Sequence, residues 1–328
     1  MSTGIRLALA GDTMLGRGVA EALQTQRPGS LVSEDVVAIL SEADLFVLNL
    51  ECCVSERGER WPDPLKPFFF RAPPQALDLL RHLGVDCVNL ANNHALDYGR
   101  VALMDTLDLL SEAGVATVGA GRDVEQARRP VIIESKGFRL RVVGLTDHPH
   151  NYQAGIDTPG VAYADLRRGV PDWVFQSMEQ GDADAVLVTP HWGPNMTSRP
   201  VPHVRRAAHE MVKGGRTLVA GHSAHVFQGV SGNVLYDLGD FIDDYAVDTH
   251  FRNDLGMLIL VDLGPAGPIR LEAIPLALDY CHTRLAGGKE ALWVRERFHK
   301  ACAELGTEVH TVENRSVIEW RADGTTEG

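Results

Sequence analysis

The chain has 328 residues, of which 45% are hydrophobic and 23% charged, a composition typical of a globular protein with a large core. Its 31 basic and 44 acidic residues give a formal net charge of −13, which disfavours sequence-independent binding to nucleic acid phosphates. No stretch approaches the roughly 20 apolar residues of a membrane span, and the first apolar run is too short for a signal peptide. We therefore expect a cytoplasmic protein of undetermined oligomeric state.

Short apolar runs, each followed by polar residues, recur along the chain. In order they are "RLALAGD", "LFVLNLE", "CVNLANNH", "ATVGAG", "RVVGLTD", "AVLVTPHWG" and "TLVAGHSAH". Near-continuous apolar character is typical of strands that are covered on both faces. Helices are predicted between several of them, and two of these end at Gly84 and Gly114. The alternation predicts an α/β fold with a mainly parallel sheet and helices on its faces.

The C-terminal third has a different pattern. "LILVDLG" and "IRLEAIPLAL" are predicted as sheet-edge strands, and "KEALWVRERFHKACAEL" as a helix on the outside. We predict one domain over residues 1–310, followed in 311–328 by a terminal strand and a disordered tail, "RADGTTEG". The five cysteines are odd in number and form no CxxC pair, which argues against a disulfide framework and a thiolate zinc site.

Unusual polar residues follow the predicted strands. In open α/β sheets, ligands bind beyond the carboxyl ends of the strands. The residues at these positions are Asp12, Glu51, Asn93, His94, His191, His222 and His225. Each also has a structural interpretation: Asp12 could cap a helix, Glu51 could be a solvated loop acid, and "GHSAH" could begin a helix.

Their joint placement favours a metal site. Imidazole, carboxylate and amide oxygen suit Zn, Mn or Fe. A bridging carboxylate surrounded by such ligands can hold two ions about 3.5 to 4 Å apart and generate a hydroxide at neutral pH. His94, next to a ligand but free itself, could then donate a proton to a leaving group.

On these motifs the chain resembles the CapA, or PGA_cap capsule-synthesis, branch of the calcineurin-like metallophosphatases. The matching segments are "GDTMLGR", "NLE", "KPFFFRAPPQALDLLRHLGVDCVNLANNHALDYG", "GAGRDVEQARRP", "HWG" and "GHSAHVFQG", in the family's order. The resemblance implies a four-layer α/β/β/α metallophosphatase-like sandwich with a dinuclear metal site at the C-terminal ends of its strands.

The resemblance also implies a role for each site residue. The implied ligands of the first ion are Asp12, Glu51 as the bridge, and His225. Those of the second ion are Glu51, Asn93, His191 and His222. His94 resembles the general acid, and we predict His94, Asp12 and His191 as the catalytic residues.

The chain departs from the related patterns at three places. Met14 stands where the wider superfamily has a histidine, "GHSAH" has one residue more between its histidines, and "LGDF" has Asp240 where the branch has "LGNF". Either one or two divalent ions are therefore expected, with Mn, Zn, Fe and Ca as the candidates.

Substrate-binding residues are predicted near the same motifs. Lys66 and Arg71 could bind a carboxylate or phosphate, although long basic side chains commonly lie along the surface. His148 and His150 could line the pocket or belong to a polar loop, and Trp192 could shape its wall.

Three functions compete at this stage. The first is a metal-dependent hydrolase acting on an ester, amide or phosphoester of an anionic or peptide-like substrate, with a poly-γ-glutamate-related compound as one candidate. The second is a metal-dependent peptide epimerase in the tailoring of peptide natural products, because one scaffold supports several reactions. The third is a non-catalytic protein that binds a peptide or polysaccharide.

Overall fold

The computed structural model describes residues 4–212 and 215–320, so the predicted tail "RADGTTEG" lies outside the described residues. The α-helices of the described residues are α1 (Arg17–Thr25), α2 (Glu34–Leu40), α3 (Ala76–Leu83), α4 (Gly99–Glu112), α5 (Val124–Arg128), α6 (Asp172–Glu179), α7 (Pro202–Met211) and α8 (Gly288–Ala303). The strands are β1 (Ile5–Thr13), β2 (Leu45–Leu50), β3 (Cys53–Val54), β4 (Arg71–Ala72), β5 (Cys87–Asn89), β6 (Ala116–Val118), β7 (Ala120–Gly121), β8 (Val131–Ser135), β9 (Phe138–Thr146), β10 (Gly160–Val161), β11 (Ala185–His191), β12 (Thr217–Ala220), β13 (Val230–Ser231), β14 (Val234–Leu235), β15 (Asp240–Ile242), β16 (Leu255–Gly264), β17 (Gly267–Asp279), β18 (His282–Leu285), β19 (His310–Val312) and β20 (Arg315–Glu319).

The larger sheet has the strand order β19-β20-β17-β16-β1-β2-β5-β6, with β15 paired to β1 and β18 to β17. Strands β1, β2, β5 and β6 are parallel, as predicted. The prediction that β16 and β17 lie at an edge is wrong. They are long antiparallel strands inside the sheet, because β16 pairs with both β1 and β17, and β17 pairs with β20.

The smaller sheet has the strand order β13-β14-β12-β11-β9-β8. Its strands β9, β11, β12 and β14 are parallel, whereas β8 and β13 are antiparallel to their neighbours. The prediction of a mainly parallel sheet therefore holds for the strands that precede the polar motifs and not for the rest. A mixed α/β fold with several sheets is confirmed.

Buried apolar side chains form three large clusters that alternate with the sheets. Successive residues of a strand point to opposite faces, so Ala8 and Leu9 of β1 belong to different clusters. The first cluster joins one face of the larger sheet to α2, α3 and α4. The second joins its other face to the smaller sheet, and the third joins the smaller sheet to α6 and α7. Both sheets are thereby covered on both faces, which holds their strand ends in fixed positions.

The two helix ends predicted at glycines are found in the structure. Gly84 follows α3 with a φ of 71°, and Gly114 follows α4 with a φ of 76°, a left-handed conformation that glycine adopts without strain. The five cysteines are buried and free. Helix α8 packs on β16 and β17. Across residues 4–212 and 215–320, no helix is long and apolar enough to cross a membrane.

Candidate metal centre

The carboxyl ends of both sheets meet at one buried site. Asp12 lies near the end of β1 and Glu51 directly follows β2, its parallel neighbour. His191 ends β11, and His222 follows the neighbouring strand β12. Between the sheets, His191 Nε2 lies 3.4 Å from Glu51 Oε1, and His222 Nδ1 lies 3.5 Å from Asp12 Oδ1. Residues from four separate strand ends thus contact one another.

One half of the site is rich in carboxylates. Ligand atoms of Asp12, Glu51, His225 and Asp240 all lie within 4.8 Å of one another, and the four residues are buried. His225 Nδ1 is 2.8 Å from Asp240 Oδ1, 3.4 Å from Asp12 Oδ2 and 3.8 Å from Glu51 Oε2. Three carboxylates around one imidazole are a ligand set suited to a divalent cation that prefers oxygen ligands.

Asp240 is not among the ligands predicted from the sequence. Strand β15 pairs in parallel with β1, and this pairing places Asp240 directly beside Asp12. Met14 is buried, and its sulfur accepts a hydrogen bond from the Gly16 N–H at 3.1 Å. Asp240 therefore adds a third carboxylate to the cluster. The acid in "LGDF" was the available signal.

The other half of the site is rich in imidazole. His222 Nε2 is 2.9 Å from the hydroxyl of Thr189, so its Nδ1 faces Asp12. Among the described residues, several buried polar atoms of the site have no hydrogen-bond partner. They are both carboxylate oxygens of Glu51, Asn93 Oδ1, both ring nitrogens of His191, His222 Nδ1 and Asp240 Oδ2. Burying so many unpaired acceptors and ring nitrogens is unfavourable unless a cation binds them, so the residues fit a metal centre.

Burial and mutual charge set the protonation of these groups. Burial lowers the pKa of His191 to about 4 and that of His222 to about 3, so both rings are neutral at pH 7, the form that binds metal. Burial opposes the ionisation of Glu51, but the positive charge of the neighbouring His225 is the main cause that lowers its pKa to about 2.

The remaining groups of the carboxylate-rich half hold protons more tightly. Burial, with the charge of Glu51, raises the pKa of Asp12 well above its usual range, and burial raises that of Asp240 to about 6. Burial opposes the charged form of His225, yet Asp240, Glu51 and Asp12 raise its pKa well above the ordinary histidine value. Without a metal ion, a proton on His225 therefore supplies the positive charge.

Metal uptake should release protons. The raised pKa values of Asp12, Asp240 and His225 mean that a cation competes with bound protons, whereas His191 and His222 are already deprotonated above pH 5. We expect affinity for Mn²⁺ to rise between pH 5.5 and 7.5 by about tenfold per pH unit for each proton released. Calorimetric titration in two buffers of different ionisation enthalpy measures the number of protons released when the metal binds. An affinity independent of pH would contradict the assignment.

Removing the Asp240 carboxylate should weaken binding of the first ion specifically. We expect Asp240→Asn, which keeps the side-chain volume, to lower Mn²⁺ affinity by about tenfold or more, because one of three anionic ligands is lost. Asp279→Asn, the same change at an exposed position, is the control. Equal Mn²⁺ affinity of both variants by calorimetric titration would exclude Asp240 as a ligand.

His94 lies at the edge of the cluster, held by a buried aspartate. Its Nδ1 is 2.6 Å from Asp97 Oδ2, and its Nε2 is 3.9 Å from Glu51 Oε1. The ring stacks on Phe70 at 4.0 Å between centroids. Tyr152 donates a hydrogen bond to the other oxygen of Asp97 at 3.2 Å. The arrangement fixes the His94 ring with Nε2 toward the metal ligands.

The predicted substrate residues differ in their relation to this cluster. Lys66 Nζ is 3.0 Å from Asp97 Oδ1 and donates to the Asn93 carbonyl at 2.7 Å, so its charge is paired behind His94. Arg71 lies over the Tyr98 ring at 4.1 Å.

The other three predicted substrate residues, Trp192, His148 and His150, are on the side of the smaller sheet. Trp192 is buried and donates from Nε1 to the Tyr236 carbonyl at 2.9 Å. The His148 ring is 5.0 Å from that of His191, and the His150 ring is 5.0 Å from that of Tyr163. The roles of all five residues in substrate binding stay predictions.

The fold and the cluster together define a mixed α/β protein with a buried candidate metal centre at its strand ends. Residues 6–245 match the family described as bacterial capsule synthesis protein PGA_cap, and the chain belongs to this family.

Three relatives span most of the chain. A probable polyglutamine synthesis accessory protein of Mycobacterium tuberculosis is 28% identical over 94% of this chain and 93% of its own. The capsule biosynthesis protein CapA of Bacillus anthracis is 28% identical over 84% of this chain and 68% of its own. The PGA biosynthesis protein CapA of Bacillus subtilis is 28% identical over 82% and 70%.

Solved structures resemble the chain more distantly. A hypothetical protein from Thermus thermophilus has a TM-score of 0.49 and 18% identity, covering 82% of this chain and 98% of its own. The NAD nucleotidase of Haemophilus influenzae has a TM-score of 0.44 and 9% identity, covering 92% and 57%.

Proposed function

We propose that this protein is a metal-dependent hydrolase acting on an ester, amide or phosphoester of an anionic or peptide-like substrate. The observation that carries the proposal is the group of buried, unpaired ligand atoms on Glu51, Asn93, His191, His222 and Asp240. Because a cation would satisfy all of them, the site is suited to one or two divalent ions. We further propose the four-layer α/β/β/α arrangement, which the alternation of three apolar clusters with two sheets supports.

The ligands divide into two sets that share Glu51. The set for a first ion is Asp12, Glu51, His225 and Asp240. The set for a second ion is Glu51, Asn93, His191 and His222. A bound divalent cation would polarise the oxygen of the bond to be cleaved.

His94 is the proposed proton donor. Its Nδ1–H donates to Asp97, which orients the ring. The Nε2 atom then faces the cluster and can transfer a proton to the leaving group. Phe70 covers one face of the ring and limits its rotation.

The names of the relatives support the substrate class. Two are described as acting in the synthesis of polyglutamine or PGA, and one in capsule biosynthesis. Polyglutamine is peptide-like but uncharged, whereas poly-γ-glutamate is both peptide-like and anionic, so we propose a poly-γ-glutamate-related compound as the substrate.

One experiment separates the three candidate functions. Protein stripped with a chelator and reloaded with Mn²⁺ or Zn²⁺ is incubated with γ-glutamyl oligopeptides, and in parallel with a phosphoester, in deuterated water. We expect mass spectrometry to show metal-dependent cleavage. Deuterium at Cα without cleavage would replace the proposal with epimerisation. Binding of the oligopeptide with neither reaction would identify a non-catalytic binder.

A further inference from the structure

A second network of aspartate and histidine lies beside the metal centre. The carboxylate of Asp147 accepts hydrogen bonds from His148 Nδ1 at 2.5 Å, from His203 Nε2 at 3.0 Å and from the Gly193 N–H at 3.1 Å. The side chain of Asp147 is only 7% exposed, whereas that of His148 is 32% exposed. The buried acid therefore fixes the His148 ring, which packs against His191 and leaves its Nε2 free to meet a ligand.

This network forms one wall of a cleft. The cleft has a volume of about 450 Å³, within the roughly 300 to 1,000 Å³ typical of ligand pockets. Its other lining residues include Tyr163, Arg167 and Asn195. His148 lies between the cleft and the candidate metal centre, because its ring lines the cleft and is 5.0 Å from the ring of His191.

The charged side chains that line the cleft differ in whether they have a partner. Asp147 is surrounded by its three donors, and Asp165 is paired with Arg168 at 3.1 Å. Arg167 is exposed, and no carboxylate of residues 4–212 or 215–320 lies within ion-pair distance of its guanidinium. Within those ranges, Arg167 is thus the cleft-lining charged side chain whose charged group makes no ion pair, and its planar donor edge matches a carboxylate.

We propose that this cleft binds a carboxylate group of the substrate, with Arg167 as its main contact and His148 Nε2 as a second. The inference rests on the proposed function and extends it, because it names the group that holds the substrate away from the bond that is cleaved. Asp147 is a positioning residue that acts through His148. Lys66 cannot take this role without losing its contacts with Asp97 and the Asn93 carbonyl.

Binding of a small dicarboxylate tests the proposal without turnover. Glutarate is titrated calorimetrically into the full-length, metal-loaded protein, its Arg167→Ala variant and its Arg199→Ala variant. Arg199 is an exposed arginine paired with Glu304 and lies outside this cleft, so it is a matched control. We expect Arg167→Ala to weaken glutarate binding by about tenfold or more, and Arg199→Ala to leave it unchanged. We expect His148→Ala to weaken it by about threefold to tenfold.

The outcomes distinguish this subsite from the hydrolase itself. Equal affinity in the Arg167→Ala and Arg199→Ala variants, or no binding to the unmodified protein, would overturn the subsite even if the enzyme cleaves its substrate. Loss of glutarate binding with Arg167→Ala would support the subsite even if no cleavage is found. Inorganic phosphate is the second probe. If its affinity depends on Arg167 while that of glutarate does not, the cleft binds phosphate and the carboxylate assignment is wrong.

Discussion

Replacing Glu51 by glutamine will remove most of the bound metal. Glu51 is fully buried, and its two oxygens face both halves of the site: Oε1 lies 3.4 Å from His191 Nε2 and Oε2 lies 3.8 Å from His225 Nδ1. Glutamine keeps the volume but removes the negative charge that two cations would share. Loss of a residue that only hydrogen-bonds to a metal ligand typically lowers metal affinity about 10- to 100-fold. Because Glu51 is itself the proposed shared ligand, we expect its replacement to lower metal affinity by at least about 100-fold.

The measurement is metal content by elemental analysis after the protein is loaded with Mn²⁺ and desalted. Glu56→Gln makes the same chemical change at an exposed position and should retain the metal of the unmodified protein. If the Glu51→Gln variant retains as much metal as the Glu56→Gln variant, Glu51 is not a ligand and the two-ion arrangement fails.

The strand-end residues could be predicted because their local pattern is simple. Each of Asp12, Glu51, His191 and His222 ends or follows a short apolar run, and parallel strands place their carboxyl ends at one edge. The structure brings these residues together at one site. Two of them come from each sheet, and the contact between the sheets could not be predicted from the strand–helix alternation, because the two-sheet arrangement was implied only by the family resemblance.

Other parts of the molecule depend on contacts between distant segments. Asp240 lies in a strand of three residues, too short to give a pattern, and only its pairing with β1 places it beside Asp12. The positions of β16 and β17 likewise depend on β16 pairing with β1, more than two hundred residues away along the chain. A strand inside a sheet, between two antiparallel neighbours, can have the same apolar sequence as an edge strand that is covered by a helix. The sequence therefore did not show whether β16 and β17 lie inside the sheet or at its edge.

The contacts of His94 also could not be predicted from the sequence. The sequence suggested His94 as a proton donor, but the same segment gave no reason to choose Asp97 as its partner. In the structure the turn after β5 places Asp97 against His94 Nδ1, and Lys66 approaches from a separate loop. Lys66, which the sequence suggested as an anion-binding residue, is thus paired with the buried Asp97 in the fold.

Replacing His94 by glutamine will separate proton transfer from metal binding. Glutamine can keep a hydrogen bond to Asp97 but cannot exchange a proton at the Nε2 position, so turnover should fall by about 100- to 10,000-fold. Bound metal should stay unchanged, because the ligand sets proposed for the two ions exclude His94. His209→Gln, at an exposed position on α7, is the control for the loss of an imidazole. Rates on the substrate identified by the oligopeptide assay, measured with metal content on the same samples, decide the matter: unchanged turnover removes His94 from catalysis, and a parallel loss of metal makes it a ligand instead.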